Sequence, residues 1–123
     1  MDTNQPRQIA AFGQKHRTGL VTLVFTDLVG STELKQRHGD ATALGLIEHH
    51  HAVVRDLLRS IAGAEEISTA DDSFFLAFAR PSDAVRFGLR CWRGCGSWLA
   101  RRARRCGTGW AFMQGTCLCR RIW

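Results

Sequence analysis

The sequence predicts an α+β domain, and three observations carry that prediction. Val21 to Thr26 is a run of apolar and β-branched residues, short enough to read as a strand covered on both sides. Leu44, Ile47, His51, Val54, Leu58 and Ile61 recur at steps of three and four, which draws one stripe along a helix. Glu65 to Thr69 and Ser73 to Ala79 are two short strand-like runs around a tight turn.

Taken in order, residues 1–18 are polar and read as a loose arm. Residues 20–27 form the first strand. The turn that follows ends in Gly30-Ser31-Thr32, whose hydroxyls suit a helix N-cap. Glu33 then falls in the first helical turn, where the helix dipole favours an acid. This short helix runs from Ser31 to Arg37 and stops at His38-Gly39. Asp40 is the N-cap expected for a longer second helix, and Gly63 its stop. In the hairpin, Phe74, Leu76 and Phe78 share one face, and Phe75, Ala77 and Ala79 the other. Pro81 closes the strand, and Ser82 caps a third helix through Ala84, Val85, Phe87, Gly88 and Leu89. The order β-α-α-β-β-α is a truncated ferredoxin-like βαββαβ layout with its last strand missing.

At 123 residues the chain holds at most one small domain. Its net charge of +6 is unevenly spread. Residues 1–89 hold all 11 acids against 9 bases, whereas residues 90–123 hold 8 arginines and no acid. All 5 cysteines and all 4 tryptophans lie beyond Arg90 as well. The sequence therefore divides into a polar arm (1–18), a folded portion (19–90) and a basic tail rich in Cys, Trp and Arg (91–123). No apolar run approaches the roughly 20 residues of a membrane span. The N-terminus lacks the apolar core of a signal peptide. The expectation is a cytoplasmic protein with no membrane partner.

The chemistry centres on two acids. Asp27 ends the first strand, and Asp72 opens the third. If those strands are neighbours, the two carboxylates meet at one sheet end, where they repel unless a cation lies between them. Mg²⁺ is held by one or two carboxylates together with substrate phosphates. The adjoining turn, Leu28 to Thr32, offers backbone N–H groups at a helix start, which suits a polyphosphate. A metal pair beside a phosphate cradle points to phosphoryl transfer from a nucleoside triphosphate. Solvated strand-end acids are the alternative. The run His49-His50-His51 is not expected to hold a metal, because consecutive helical residues point about 100° apart and do not easily share one ion.

"VTLVFTDLVGSTEL", "RHGDA", "HHHAVVRDLL" and "EEISTADDSFFLAF" together resemble the class III adenylyl/guanylyl cyclase catalytic domain over about Thr18 to Leu89. The resemblance implies a dimeric enzyme that converts ATP or GTP into a 3′,5′-cyclic nucleotide and pyrophosphate in intracellular signalling. It implies Mg²⁺ or Mn²⁺ at a two-metal site built from Asp27, Asp72 and the Leu28 carbonyl. Val29, Gly30, Ser31 and Thr32 match the triphosphate-binding turn. One metal would help deprotonate the ribose 3′-hydroxyl, and the other would hold the leaving phosphates. Ser68 stands where adenylyl cyclases usually carry a base-reading lysine, so adenine specificity does not carry over. Asp71 stands where the family has glycine, and aspartate tolerates left-handed backbone better than most residues. The asparagine and arginine that stabilise the family's transition state have no counterpart. No catalytic residue of that half is assigned, and a homodimer of this chain is expected to be inactive. The chain is then either a broken enzyme or a non-catalytic module that pairs with an intact cyclase chain.

Beyond Leu89 the resemblance stops. The five thiols lack paired CxxC spacing, which argues against structural zinc. "RRARR" with tryptophans is basic and aromatic, which keeps a nucleic-acid partner as an alternative. A frameshift accounts for the composition better. Read from the third base of each codon, "GWAFMQGTC" forces Gly across Trp110-Ala111 and Ala across Met113-Gln114, and permits Leu-Gly-Val-His-Ala-Gly-Asp-Val. That line resembles a strand the family carries at about this distance.

Overall fold

The structure is a computed structural model that describes residues 4–28, 31–105 and 117–122. Among the described residues four strands are present: β1 (Thr22–Leu28), β2 (Ala64–Ala70), β3 (Ser73–Phe78) and β4 (Cys117–Ile122). They form one antiparallel sheet in the order β2-β3-β1-β4. Four helices among the described residues accompany it: α1 (Gln5–Lys15), α2 (Ser31–His38), α3 (Asp40–Arg59) and α4 (Pro81–Arg105). The α+β class and the ferredoxin-like order stand.

Alternation along the central strands sorts side chains to two faces. Val24, Phe74, Leu76 and Phe78 pack with Val54 and Leu58 of α3 and with Ala84, Phe87 and Cys91 of α4. This is the main core. The other face is covered by α1: Phe12, only 1% exposed, packs with Ile67, Phe75 and Ala77.

That second layer corrects the reading of residues 1–18 as a loose arm. Residues 5–15 are a helix with Pro6 in its first turn, where a missing N–H costs nothing. Ile9 and Phe12 lie three apart and turn towards the sheet together. The polar composition of the segment hides two apolar positions that share a face.

Three smaller differences concern the elements already expected. The buried face of α3 is Ala43, Ile47, His50, Val54 and Leu58. His50 rather than His51 therefore enters the core, and Leu44 is 56% exposed. Gly39 takes the N-cap position with φ 81°, and Asp40 is the first helical residue. Only glycine enters that backbone region freely. Finally, the sequence places no last strand, yet β4 pairs with β1 from Val24↔Ile122 to Leu28↔Cys117. The tail thus covers the β1 edge that would otherwise offer unpaired backbone groups.

Candidate functional site at the end of strands β1 and β3

β1 and β3 are neighbours, as the argument from the two acids required. Their register runs from Thr22↔Phe78 to Thr26↔Phe74. Asp27 follows Thr26, and Asp72 lies two residues before Phe74. Both acids consequently stand at one end of adjacent strands. Asp27 is exposed and Asp72 half-buried.

Asp72 lies in a two-residue turn closed by the Ala70↔Ser73 pair. Asp71, the first turn residue, has φ 50°. This is the left-handed geometry expected where the family has glycine. The turn is tied down from α3. The Asp71 carbonyl lies 2.7 Å from His51 Nε2. A carbonyl can only accept, so Nε2 carries the proton in that contact. The His51 ring meets Phe74 edge-on at 4.9 Å, and the Arg55 guanidinium lies 5.6 Å from the same ring. Arg55 also donates to both oxygens of Glu66, at 3.0 and 3.1 Å, and Thr69 donates to Glu66 as well. Helix α3 therefore fixes the hairpin that carries Asp72. Sequence reasoning assigned none of this to His51 or Arg55, although their i, i+4 spacing places them on one helix face.

The acids of the sheet divide by partner. Glu65 is held by Lys15 and His16. The hydrogen bond from Lys15 draws its carboxyl below the usual range. Glu66 is held by Arg55, whose hydrogen bonds draw it down likewise. Asp27 and Asp72 are in no ion pair among the described residues. They are the sheet-end carboxylates left open to a cation. Two carboxylates with a backbone carbonyl offer oxygen donors only, which fits Mg²⁺ or Mn²⁺ in kind. Among the described residues no three side chains of His, Cys, Asp or Glu form a metal-holding group. Coordination by these residues would leave positions for substrate phosphates and water.

Leu28 is the last residue of β1, and Ser31 and Thr32 open α2 with Glu33 in its first turn. Val29 and Gly30 lie outside the described residues. Ser68 lies on β2 opposite Phe75, which stacks on Phe25 at 4.3 Å and 11°. Its hydroxyl accepts from Gln5 of α1 at 3.1 Å. The contact between α1 and the Ser68 position had no signal in the sequence.

The family model of the adenylate and guanylate cyclase catalytic domain matches residues 14–93. This chain belongs to that family. Its relatives include an adenylate cyclase of Podospora anserina, 34% identical over 76 residues, which are 60% of this chain and 3% of that protein. A receptor-type adenylate cyclase of Trypanosoma brucei brucei is 38% identical over 72 residues, 58% of this chain and 6% of that one. A solved structure of a Trypanosoma brucei adenylate cyclase in its monomeric state superposes with a TM-score of 0.55 at 30% identity. That alignment covers 63% of this chain and 34% of the solved one. The cyclase domain here is thus partial, and the chain spans a small fraction of the relatives it matches. The matched segment begins near the end of α1 and ends within α4, so most of α1 and all of β4 lie outside it. No helix among the described residues is long and apolar enough to cross a membrane.

Proposed function

We propose that this chain is the metal- and triphosphate-binding half of a nucleotidyl cyclase site, which acts on ATP or GTP only when a second chain completes it. The observation that carries the reading is the placement of Asp27 and Asp72 at one end of adjacent strands, unengaged by the cations that hold Glu65 and Glu66. Asp27, Asp72 and the Leu28 carbonyl would hold Mg²⁺ or Mn²⁺. The ions supply charge neutralisation on the triphosphate and acidify the attacking ribose hydroxyl. Val29, Gly30, Ser31 and Thr32 would cradle the phosphates at the start of α2. His51 and Arg55 hold the Asp72 turn in place, so the carboxylates need little reorganisation on binding. Ser68 offers a neutral hydroxyl to the base and no cationic donor, which supports neither adenine nor guanine over the other.

Alone, the chain brings no transition-state residue, and we infer that it forms no cyclic nucleotide by itself. Pairing with an intact cyclase chain is the route to activity, or to regulation of that partner. The frameshift reading of residues 91–123 accounts for why the family pattern breaks off inside α4.

The test is metal-dependent binding of a fluorescent ATP or GTP analogue to the whole chain. Saturable binding with Mn²⁺ that falls about tenfold or more in Asp27→Asn and in Asp72→Asn is expected. Binding that is unchanged by both substitutions refutes the site. Cyclic nucleotide formed by the isolated chain and abolished by Asp27→Asn refutes the inferred inactivity.

A further inference from the structure

The sheet face turned away from α3 and α4 carries Ser68, Phe75 and Phe25 in register across β2, β3 and β1. Helix α1 lies on the β2 side of that row. Gln5, in its first turn, donates from Nε2 to the Ser68 hydroxyl at 3.1 Å. At the other end Lys15 and His16 both reach Glu65 on the same strand, His16 at 3.2 Å. Between these ends Phe12 is buried against Ile67, Phe75 and Ala77, and the His16 ring packs on it at 4.3 Å. The cover stops short of Phe25, which stays 43% exposed.

The hold of α1 on the sheet is light. Phe12 is its one buried residue, and Arg7, Gln8, Ala10, Ala11 and Gln14 are exposed. The Lys15 side chain is 67% exposed, so water screens its pairing with Glu65. An element with so few buried contacts opens at low free energy. The family-matched segment begins at residue 14, so Gln5 and Phe12 belong to an addition to it.

We propose that α1 is an autoinhibitory cap that keeps a nucleotide base off Ser68 until the helix swings away. The proposal rests on the nucleotide reading given above. A glutamine carboxamide and the edge of a base offer the same groups, a carbonyl-type acceptor and N–H donors. Gln5 already stands at hydrogen-bond distance from the hydroxyl that the base would use, so the two compete for one place. Ser68 pairs with Phe75, three residues along from Asp72, about 10 Å at the rise of a strand. One nucleotide spans that separation, with phosphates at the Asp27 and Asp72 end and its base at Ser68. The contacts made by α1 fall on Glu65, Ile67, Ser68, Phe75 and Ala77, below the turn that carries Asp72. The cap therefore screens the base and leaves the phosphate end open.

The experiment compares the whole chain with Gln5→Ala and Phe12→Ala by calorimetry in Mn²⁺. The ligands are methylene-bridged ATP and GTP analogues and inorganic triphosphate, which has no base. Removing a cap multiplies apparent affinity by the closed-to-open ratio that it imposed. Phe12→Ala should bind at least one nucleotide about tenfold more tightly than the unaltered chain, and Gln5→Ala about threefold. Neither should bind inorganic triphosphate differently. Saturating nucleotide, but not triphosphate, should raise amide exchange through residues 8–15 of the unaltered chain. Gln5→Ala changes no buried residue, so it carries the test if Phe12→Ala unfolds. Nucleotide affinity unchanged in Gln5→Ala, with residues 8–15 still protected, overturns the cap and leaves the nucleotide site standing. A loss of nucleotide affinity in Gln5→Ala overturns it as well, because Gln5 would then read the base. If Asp27→Asn alters the binding of neither ligand type, the nucleotide site itself fails and the cap falls with it.

Discussion

Replacing Phe12 by alanine tests whether α1 is a true layer of the domain. Phe12 is 1% exposed and packs with Ile67, Phe75 and Ala77 on the side of the sheet away from α3 and α4. Truncating a fully buried Phe typically costs about 3–5 kcal/mol. Here the loss has a ceiling. Phe12 is the one buried residue of α1, and the helix can leave the sheet instead of keeping a cavity. The cost then equals what docking contributes. Burying one Phe gives about 2–3 kcal/mol, and the half-buried Ile9 adds about 1 kcal/mol. The entropy of ordering the 11-residue helix is largely met by its own backbone hydrogen bonds, and the remainder offsets part of that sum. The expected loss is about 2 kcal/mol in urea unfolding, with a smaller m-value as less surface is buried. Amide exchange should rise through residues 8–15 and stay unchanged in α3. Phe12→Leu, which keeps most of the volume, should lose less than about 1.5 kcal/mol. A loss below about 0.5 kcal/mol in Phe12→Ala, with exchange unaltered, would show that α1 contributes nothing.

Glu65 and Glu66 have depressed carboxyl pKa values, so their stabilisation is present above the unfolded-state value and is lost as pH falls through the folded-state value. Glu65 and Glu66 are about a third exposed and Lys15 and Arg55 more so, so water screens both pairs. Stability should fall by up to about 1 kcal/mol per pair on acidification below about pH 4. Glu66→Gln should remove its share of that slope in urea titrations run across pH. Asp71→Gly relieves a non-glycine residue at φ 50° and should raise stability by about 1 kcal/mol in the same assay. Asp71→Val should lower it. Gly63→Ala brings a new Cβ to 3.1 Å from the Ala79 Cβ, where β2 begins. It should lower the melting temperature by a few degrees, an amount that corresponds to about 1 kcal/mol. His51→Phe keeps the ring against Phe74 but removes the donor to the Asp71 carbonyl. Loss of Mn²⁺-nucleotide affinity with stability nearly intact would support its role in placing Asp72; unchanged affinity would deny it.

Much of where the candidate residues stand in the fold was legible because the signals are local. A strand that ends in Asp27, a turn with Ser31 and Thr32, and a hairpin with Asp72 follow from short-range patterns of period two and of turn residues. The adjacency of β1 and β3, which puts Asp27 and Asp72 at one end of the sheet, followed from the order of elements, since an antiparallel β-α-β-β unit places its third strand beside its first. Even the strained residue was foreseeable, because a two-residue hairpin turn demands positive φ and Asp71 tolerates it.

What the sequence could not decide by itself rests on contacts across long separations. Phe12 becomes core only because Ile67 and Phe75, far along the chain, present an apolar face to it. His50 and His51 are neighbours on one helix, and only the angle at which α3 meets the sheet sends one to the core and the other to the Asp71 carbonyl. Arg55 reads as one more surface charge until Glu66 and the Phe74 ring arrive beneath it. The edge position of Cys117–Ile122 is a tertiary outcome as well. No period or turn signal marks those residues as a strand, and the unpaired backbone of β1 is what they satisfy.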